Sequence, residues 1–147
     1  MSRIAVSIEI NVDPARVWQE VEPIENHVDW MHDAVAIRFQ SDQMRGVGTT
    51  FLCDTKVGPI KLVDRMEITS WEPGVSMGVR HLGIVTGTGV FTLTPIDLGR
   101  RTRFSWTENL TFPWWLGGAL GSRIGGRIVM TPIWRRNLRG LKHIIEG

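Results

Sequence analysis

The chain has 147 residues, 42% of them hydrophobic and 22% charged, with a formal net charge of +2 at neutral pH. That length suits one domain around a single core, residues 1–147, and the balance excludes a disordered or membrane-embedded chain. The basic residues are dispersed except near the C-terminus, so charge gives little support to a nucleic-acid partner, and none is expected.

The opening "SRIAVSIEINV" alternates Ile4, Val6, Ile8 and Ile10 against Arg3, Ser7 and Glu9, the period of a strand with one buried face. "DP" then announces a helix: Asp13 can accept first-turn amides, and Pro14 suits a position whose N–H has no intrahelical partner. Val17, Trp18 and Val21 give that helix an apolar side, and a second short helix is expected from Pro23. From Asp33 onward six strands follow: "AVAIRF", "GTTFLCDTKV", "PIKLVDRMEITSW", "VSMGVRHLG", "VTGTGVFTLTP" and "RTRFSWTENLTF". "VGP", "EPG" and "DLG" supply turns between them. After Pro113 the apolar spacing changes to three and four. Leu116, Leu120, Ile124 and Ile128 form one row, and Trp134, Leu138, Leu141 and Ile145 continue a face beyond a kink near Thr131-Pro132. Successive hairpins with a terminal amphipathic helix imply an α+β domain built on an antiparallel sheet.

Two segments carry a family resemblance. "IEINVDPARVWQEVEPIENHVDWM" resembles the opening strand, proline-led helix, Val-Trp and downstream Trp of the START-like (SRPBCC) superfamily, which includes polyketide cyclases and dehydrases and lipid-transport domains. "WRRNLRGLKHIIEG" resembles the final helix of aromatase/cyclase members. The resemblance implies a helix-grip fold: a curved, antiparallel, seven-stranded sheet wrapped around a long C-terminal helix, with two short helices after strand 1. It also implies an internal cavity for an apolar or amphipathic molecule. Fold locates such a site without fixing its chemistry.

Strand alternation selects the residues that would face this cavity. Glu108 shares a face with Phe104, Trp106, Leu110 and Phe112. A carboxyl there must be protonated, paired or turned to a wet cavity. It is read either as a ligand-binding or acid/base group, or as a structural partner of Arg123 or Arg127 on the covering helix. Asp64 lies on the apolar side of its strand, as does His81 on the next. A hairpin centred between Glu72 and Pro73 would set the two opposite each other. A carboxylate beside an imidazole suits a general acid or base; the plainer alternative is a mutual hydrogen bond at the strand ends. Glu108, Asp64 and His81 are the candidate catalytic residues. Met66, Met77, Phe91, Phe104, Trp106, Leu120, Gly121 and Ile124 are the candidate cavity walls, with Met44 a further candidate.

Other residues carry less. Alternation puts Arg65 on the outer face, although in position it resembles a cavity arginine of some aromatase/cyclases. The chain has no tyrosine, a residue that some cyclase sites use on a polyketide oxygen. His27 and His32 flank Trp30 near the expected cavity mouth, where surface or capping parts are the commoner case, Cys53 reads as inert core, and His143 faces solvent. Arg135, Arg136, Arg139, Lys142 and His143 read as a solvated basic end of the last helix. With one cysteine and no HExxH or CxxC spacing, neither a metal nor another cofactor is expected. Gly117, Gly121 and Gly125 recur every four residues; such a strip costs roughly 1 kcal/mol per glycine on a helix, so it should face either the sheet or a ligand, unless it belongs to a loop.

The leading expectation is therefore binding or transport of a hydrophobic or amphipathic small molecule, such as a lipid, polyketide or quinone-like compound. The alternative is a polyketide aromatase/cyclase or dehydrase using the cavity acid/base residues. The N-terminus lacks the apolar run and cleavage site of a signal peptide, so a cytoplasmic location is expected. No membrane span is expected, although transient membrane contact stays open, and the oligomeric state is not legible.

Overall fold

A computed structural model describes residues 2–113, 115 and 129–147. It contains seven strands: β1 (Ser2–Ile10), β2 (Ala34–Phe39), β3 (Thr50–Val57), β4 (Ile60–Glu72), β5 (Ser76–Leu82), β6 (Thr86–Ile96) and β7 (Arg101–Thr111). Helix α1 (Pro14–Val21) and a 3-10 helix (Ile24–Asp29) follow β1, and α2 (Thr131–Glu146) ends the chain. The sheet order is β1-β7-β6-β5-β4-β3-β2, antiparallel at every pairing. β2 to β7 thus form an unbroken meander, and β1 closes on its last strand. This is the curved, seven-stranded α+β arrangement implied by the opening and closing segments.

Local chemistry accounts for the element ends. Asp13 caps α1 by accepting from the Arg16 amide at 2.9 Å, and Pro14 occupies the first helical position. Trp18 donates its indole N–H to Glu22 at 2.7 Å and meets Trp71 edge-on at 5.3 Å, holding α1 to the sheet. The "DLG" turn places Asp97, Leu98 and Gly99 all at positive φ. A two-residue type I′ hairpin turn needs φ > 0 only at its central pair.

The apolar sides of the strands share one face of the sheet, which α1, the 3-10 helix and α2 cover in part. Ile4, Val6 and Ile10 of β1 pack with Phe104 and Trp106 of β7, and α2 contributes Trp134, Leu138, Leu141 and Ile145, its expected face. Trp106 and Trp134 stack at 4.2 Å with an interplanar angle of 8°. Fully buried Asn137 fastens α2 to the loop after the 3-10 helix: its amide donates to Asp33 at 2.7 Å and its oxygen accepts from the His32 backbone at 2.9 Å. No helix among the described residues is long and apolar enough to cross a membrane.

Candidate functional site

A cavity of about 330 Å³ lies between the inner face of the sheet and the α2 side of the molecule. Its lining is overwhelmingly aliphatic and aromatic, which makes the polar exceptions informative. Three of them form one hydrogen-bonded chain. His81 Nδ1 lies 2.9 Å from Asp64 Oδ2, and His81 Nε2 lies 2.5 Å from Glu108 Oε1. His81 is 6% exposed and Glu108 4%, so their link is buried, while Asp64 at the other end is 17% exposed.

Asp64 and His81 meet as neighbours across β4 and β5, but not in the expected register. His81 stands opposite Met66, with a shift between Ile68 and Ser70 in β4. Asp64 is therefore the diagonal neighbour, two residues along the same face, which a carboxylate can still span. The hairpin centre moved and the bulge moved it partly back, so the pair survived a misplaced turn.

Glu108 comes from farther away. It sits on β7, and β6 lies between β7 and the β5 strand that carries His81. Two strand spacings are about 10 Å, so the glutamate must lie flat across β6 to reach the ring. Gly89 makes this path: it stands directly opposite Glu108, and a Cβ built on it would come within 2.5 Å of both Cγ and Oε1 of that glutamate. Gly87, opposite His81, extends the opening, and a Cβ there would strike the Asn109 backbone. The partner of Glu108 is thus His81. Arg123 and Arg127, considered for that part from sequence, lie outside the described residues.

Burial opposes charge on His81, yet hydrogen bonds and charge from Asp64 and Glu108 outweigh it and raise the imidazole pKa to about 10. Burial raises the Glu108 carboxyl above its ordinary range, against the lowering effect of His81. Both directions describe a proton held on the His81–Glu108 link. Either an imidazolium sits between two carboxylates, or a neutral ring donates to Asp64 and accepts from a protonated Glu108.

The other polar wall residues are isolated from this chain. His27 donates Nε2–H to the Val21 carbonyl at 2.7 Å, which leaves Nδ1 an acceptor, and burial pushes its pKa down to about 4. It packs against Trp30 and Phe91 inside the protein, correcting the surface or capping part considered for it. Asp33, which sequence reasoning passed over, also lines the cavity. Burial raises its carboxyl pKa despite the Asn137 hydrogen bond. Burial likewise pushes the Cys53 thiol up to about 12, consistent with an unreactive wall residue.

Of the expected wall residues, Met66, Met77, Phe91 and Trp106 line the cavity. Phe104 does not: it is fully buried in the core, in contact with Phe91 and Trp30, because the ring packs among neighbouring aromatics. Met44 is exposed outside the cavity, in the long β2–β3 connection. Leu120, Gly121 and Ile124, with the whole glycine strip, lie outside the described residues. Arg65 is exposed, as alternation requires, and His143 is exposed on α2. Among the described residues, no group of three or more His, Cys, Asp and Glu side chains could hold a metal ion.

Comparison with known proteins agrees with this architecture. The profile of the family described as polyketide cyclase / dehydrase and lipid transport matches residues 1–146. Among curated proteins, none matches the sequence. Among solved structures, the Zhui aromatase/cyclase from Streptomyces sp. R1128 is 13% identical with a TM-score of 0.76, covering 98% of this chain and 93% of that one. A conserved protein from Geobacillus kaustophilus is 18% identical with a TM-score of 0.77, covering 98% and 95%. A protein from Thermus thermophilus is 17% identical with a TM-score of 0.75, covering 97% and 96%. At such identities the likeness is one of fold.

Proposed function

Since the chain belongs to the family of polyketide cyclases, dehydrases and lipid-transport proteins, we propose that it binds a small, mainly apolar molecule in the cavity, with the Asp64–His81–Glu108 chain as the one polar pole of the site. The observation that carries this reading is the placement of that hydrogen-bonded chain in a wall that is otherwise mainly aliphatic and aromatic. Burying three titratable groups costs stability that aliphatic residues would not, so a ligand-directed use accounts for them better than folding does. The volume of about 330 Å³ is at the lower end of small-molecule sites.

A second reading, proton transfer during ring closure or dehydration of a polyketide-like substrate, draws on the same three residues. The strength of the pairing weighs against it. Both ring nitrogens of His81 are engaged by carboxyl oxygens, so the imidazole has neither a free N–H nor a free lone pair to exchange a proton with a substrate. Binding without turnover is therefore the preferred reading.

Native mass spectrometry of the protein purified from its own host tests it, together with titration by the neutral fluorescent probe N-phenyl-1-naphthylamine. The expected result is a retained apolar molecule, or saturable one-to-one probe binding. Absence of both overturns the reading. Turnover of a poly-β-ketone thioester that is abolished in Glu108→Gln while probe binding persists would establish the enzymatic alternative instead.

A further inference from the structure

The hydrogen-bond valences of the polar pole restrict what the ligand presents to it. Both ring nitrogens of His81 are engaged by carboxyl oxygens, whichever way the shared proton lies. The imidazole consequently has no N–H to offer a ligand carbonyl. Asp64 spends only Oδ2 on His81. Its Oδ1 is buried and has no hydrogen-bond partner among the described residues, although the side chain lines the cavity. A buried carboxylate oxygen without a donor is costly, and a donor supplied by a ligand would relieve that cost.

The charge of the wall points the same way. The described lining contains Asp33, Asp64 and Glu108 with no lysine or arginine; His81 has both ring nitrogens turned to Asp64 and Glu108 rather than to the cavity, and the second histidine, His27, is held neutral. A ligand carboxylate or phosphate would meet acceptor oxygens in a low-dielectric enclosure, where like charges repel most strongly.

We infer that the cavity selects an uncharged, largely apolar molecule carrying a hydroxyl donor, a phenol, enol or alcohol, whose O–H binds Asp64 Oδ1, and that it rejects anionic lipids and acids of the same shape. This rests on the binding reading above and names the ligand class for that site. Room for a two-ring compound follows from scale: an engineered dry cavity of about 150 Å³ holds benzene.

Isothermal titration calorimetry at pH 7 with 2-naphthol, 2-methoxynaphthalene and 2-naphthoate separates the terms, because the three share one apolar body. The expected result is that 2-naphthol binds at least tenfold more tightly than either of the others, about 1.4 kcal/mol. In Asp64→Asn the amide oxygen can keep the His81 bond while its NH₂ turns to the cavity, so the preference should invert towards 2-methoxynaphthalene. Equal or tighter binding of 2-methoxynaphthalene or 2-naphthoate by the unsubstituted protein overturns the donor inference and leaves the cavity reading intact. Failure of all three probes to bind overturns the donor inference, and the cavity reading falls with it only if N-phenyl-1-naphthylamine also fails to bind and no apolar molecule is retained. A folded Asp64→Asn protein, checked by circular dichroism, that still prefers 2-naphthol removes Asp64 from recognition. The unsubstituted series decides the question even if that variant does not fold.

Discussion

Replacing Gly89 with alanine inserts a single methyl group into the path by which Glu108 reaches His81. The added carbon would sit within 2.5 Å of Glu108 Cγ and Oε1 and 2.9 Å of Cδ, well inside contact distance. The glutamate, not the strand, is what gives way, because all three atoms belong to its side chain. Deprived of one of its two carboxylate partners, His81 should titrate about 1–3 pH units below its value near 10, the usual influence of one neighbouring opposite charge. The assay is two-dimensional NMR of the histidine ring protons across pH 5.5–11, with His81 assigned through a His81→Gln control.

Stability gives an independent reading. A histidine whose folded pKa lies above its ordinary 6.5 contributes stability that is complete below pH 6.5 and lost as pH rises towards 10. Within that window the loss runs at up to about 1.36 kcal/mol per pH unit, so a few kcal/mol is tied to this proton. In the window pH 6.5–8.5 the Cys53 thiol does not yet contribute, because burial pushes it up to about 12 from 9.0, and comparison with the His81→Gln protein separates the His81 part from that of the raised Glu108 and Asp33 carboxyls. Urea denaturation across that window should show a falling stability in the unsubstituted protein and a shallower fall in Gly89→Ala. A His81 titration unmoved near 10 in the variant, with the same stability slope, would refute the claim that the glycine opening delivers Glu108.

Two further outcomes follow from neighbouring features. His27 is held neutral with its pKa near 4, so its contribution is present above pH 6.5 and lost as pH falls towards 4; His27→Gln should flatten that acid limb in a thermal melt series. Asn137→Ala removes both hydrogen bonds joining α2 to residues 32 and 33 and leaves buried partners unsatisfied, so urea denaturation should show a loss of about 2–4 kcal/mol, and a loss below about 0.5 kcal/mol would contradict the fastening part given to Asn137.

Alternation in the sequence was enough to place Asp64, His81 and Glu108 on the inner face, because a strand has only two faces and their neighbours are apolar. Register was less legible: "EPG" marks a turn without fixing its centre, and the shift between Ile68 and Ser70, which displaces the pairing again, has no distinctive local composition. The His81–Glu108 link was invisible for a different reason. It joins strands separated by a third, so it depends on which strand lies between them and on what that strand omits. The signal was present as "TGTGV", where Gly87 and Gly89 alternate on the inward face of β6. Phe104 shows the converse limit: period 2 assigns a face, but not whether that face at a given height meets packed side chains or open space.

The sheet order also constrains how the chain assembles in time. β2 to β7 can form by adding successive hairpins, each between neighbours in sequence, whereas β1 pairs with β7 from Ser2↔Leu110 to Ile10↔Thr102. The first strand synthesised therefore waits for the last, across a loop of roughly a hundred residues whose closure slows folding. Until then Ile4, Val6 and Ile10 have no sheet to cover them, and β1 stays an exposed apolar strand open to wrong pairings.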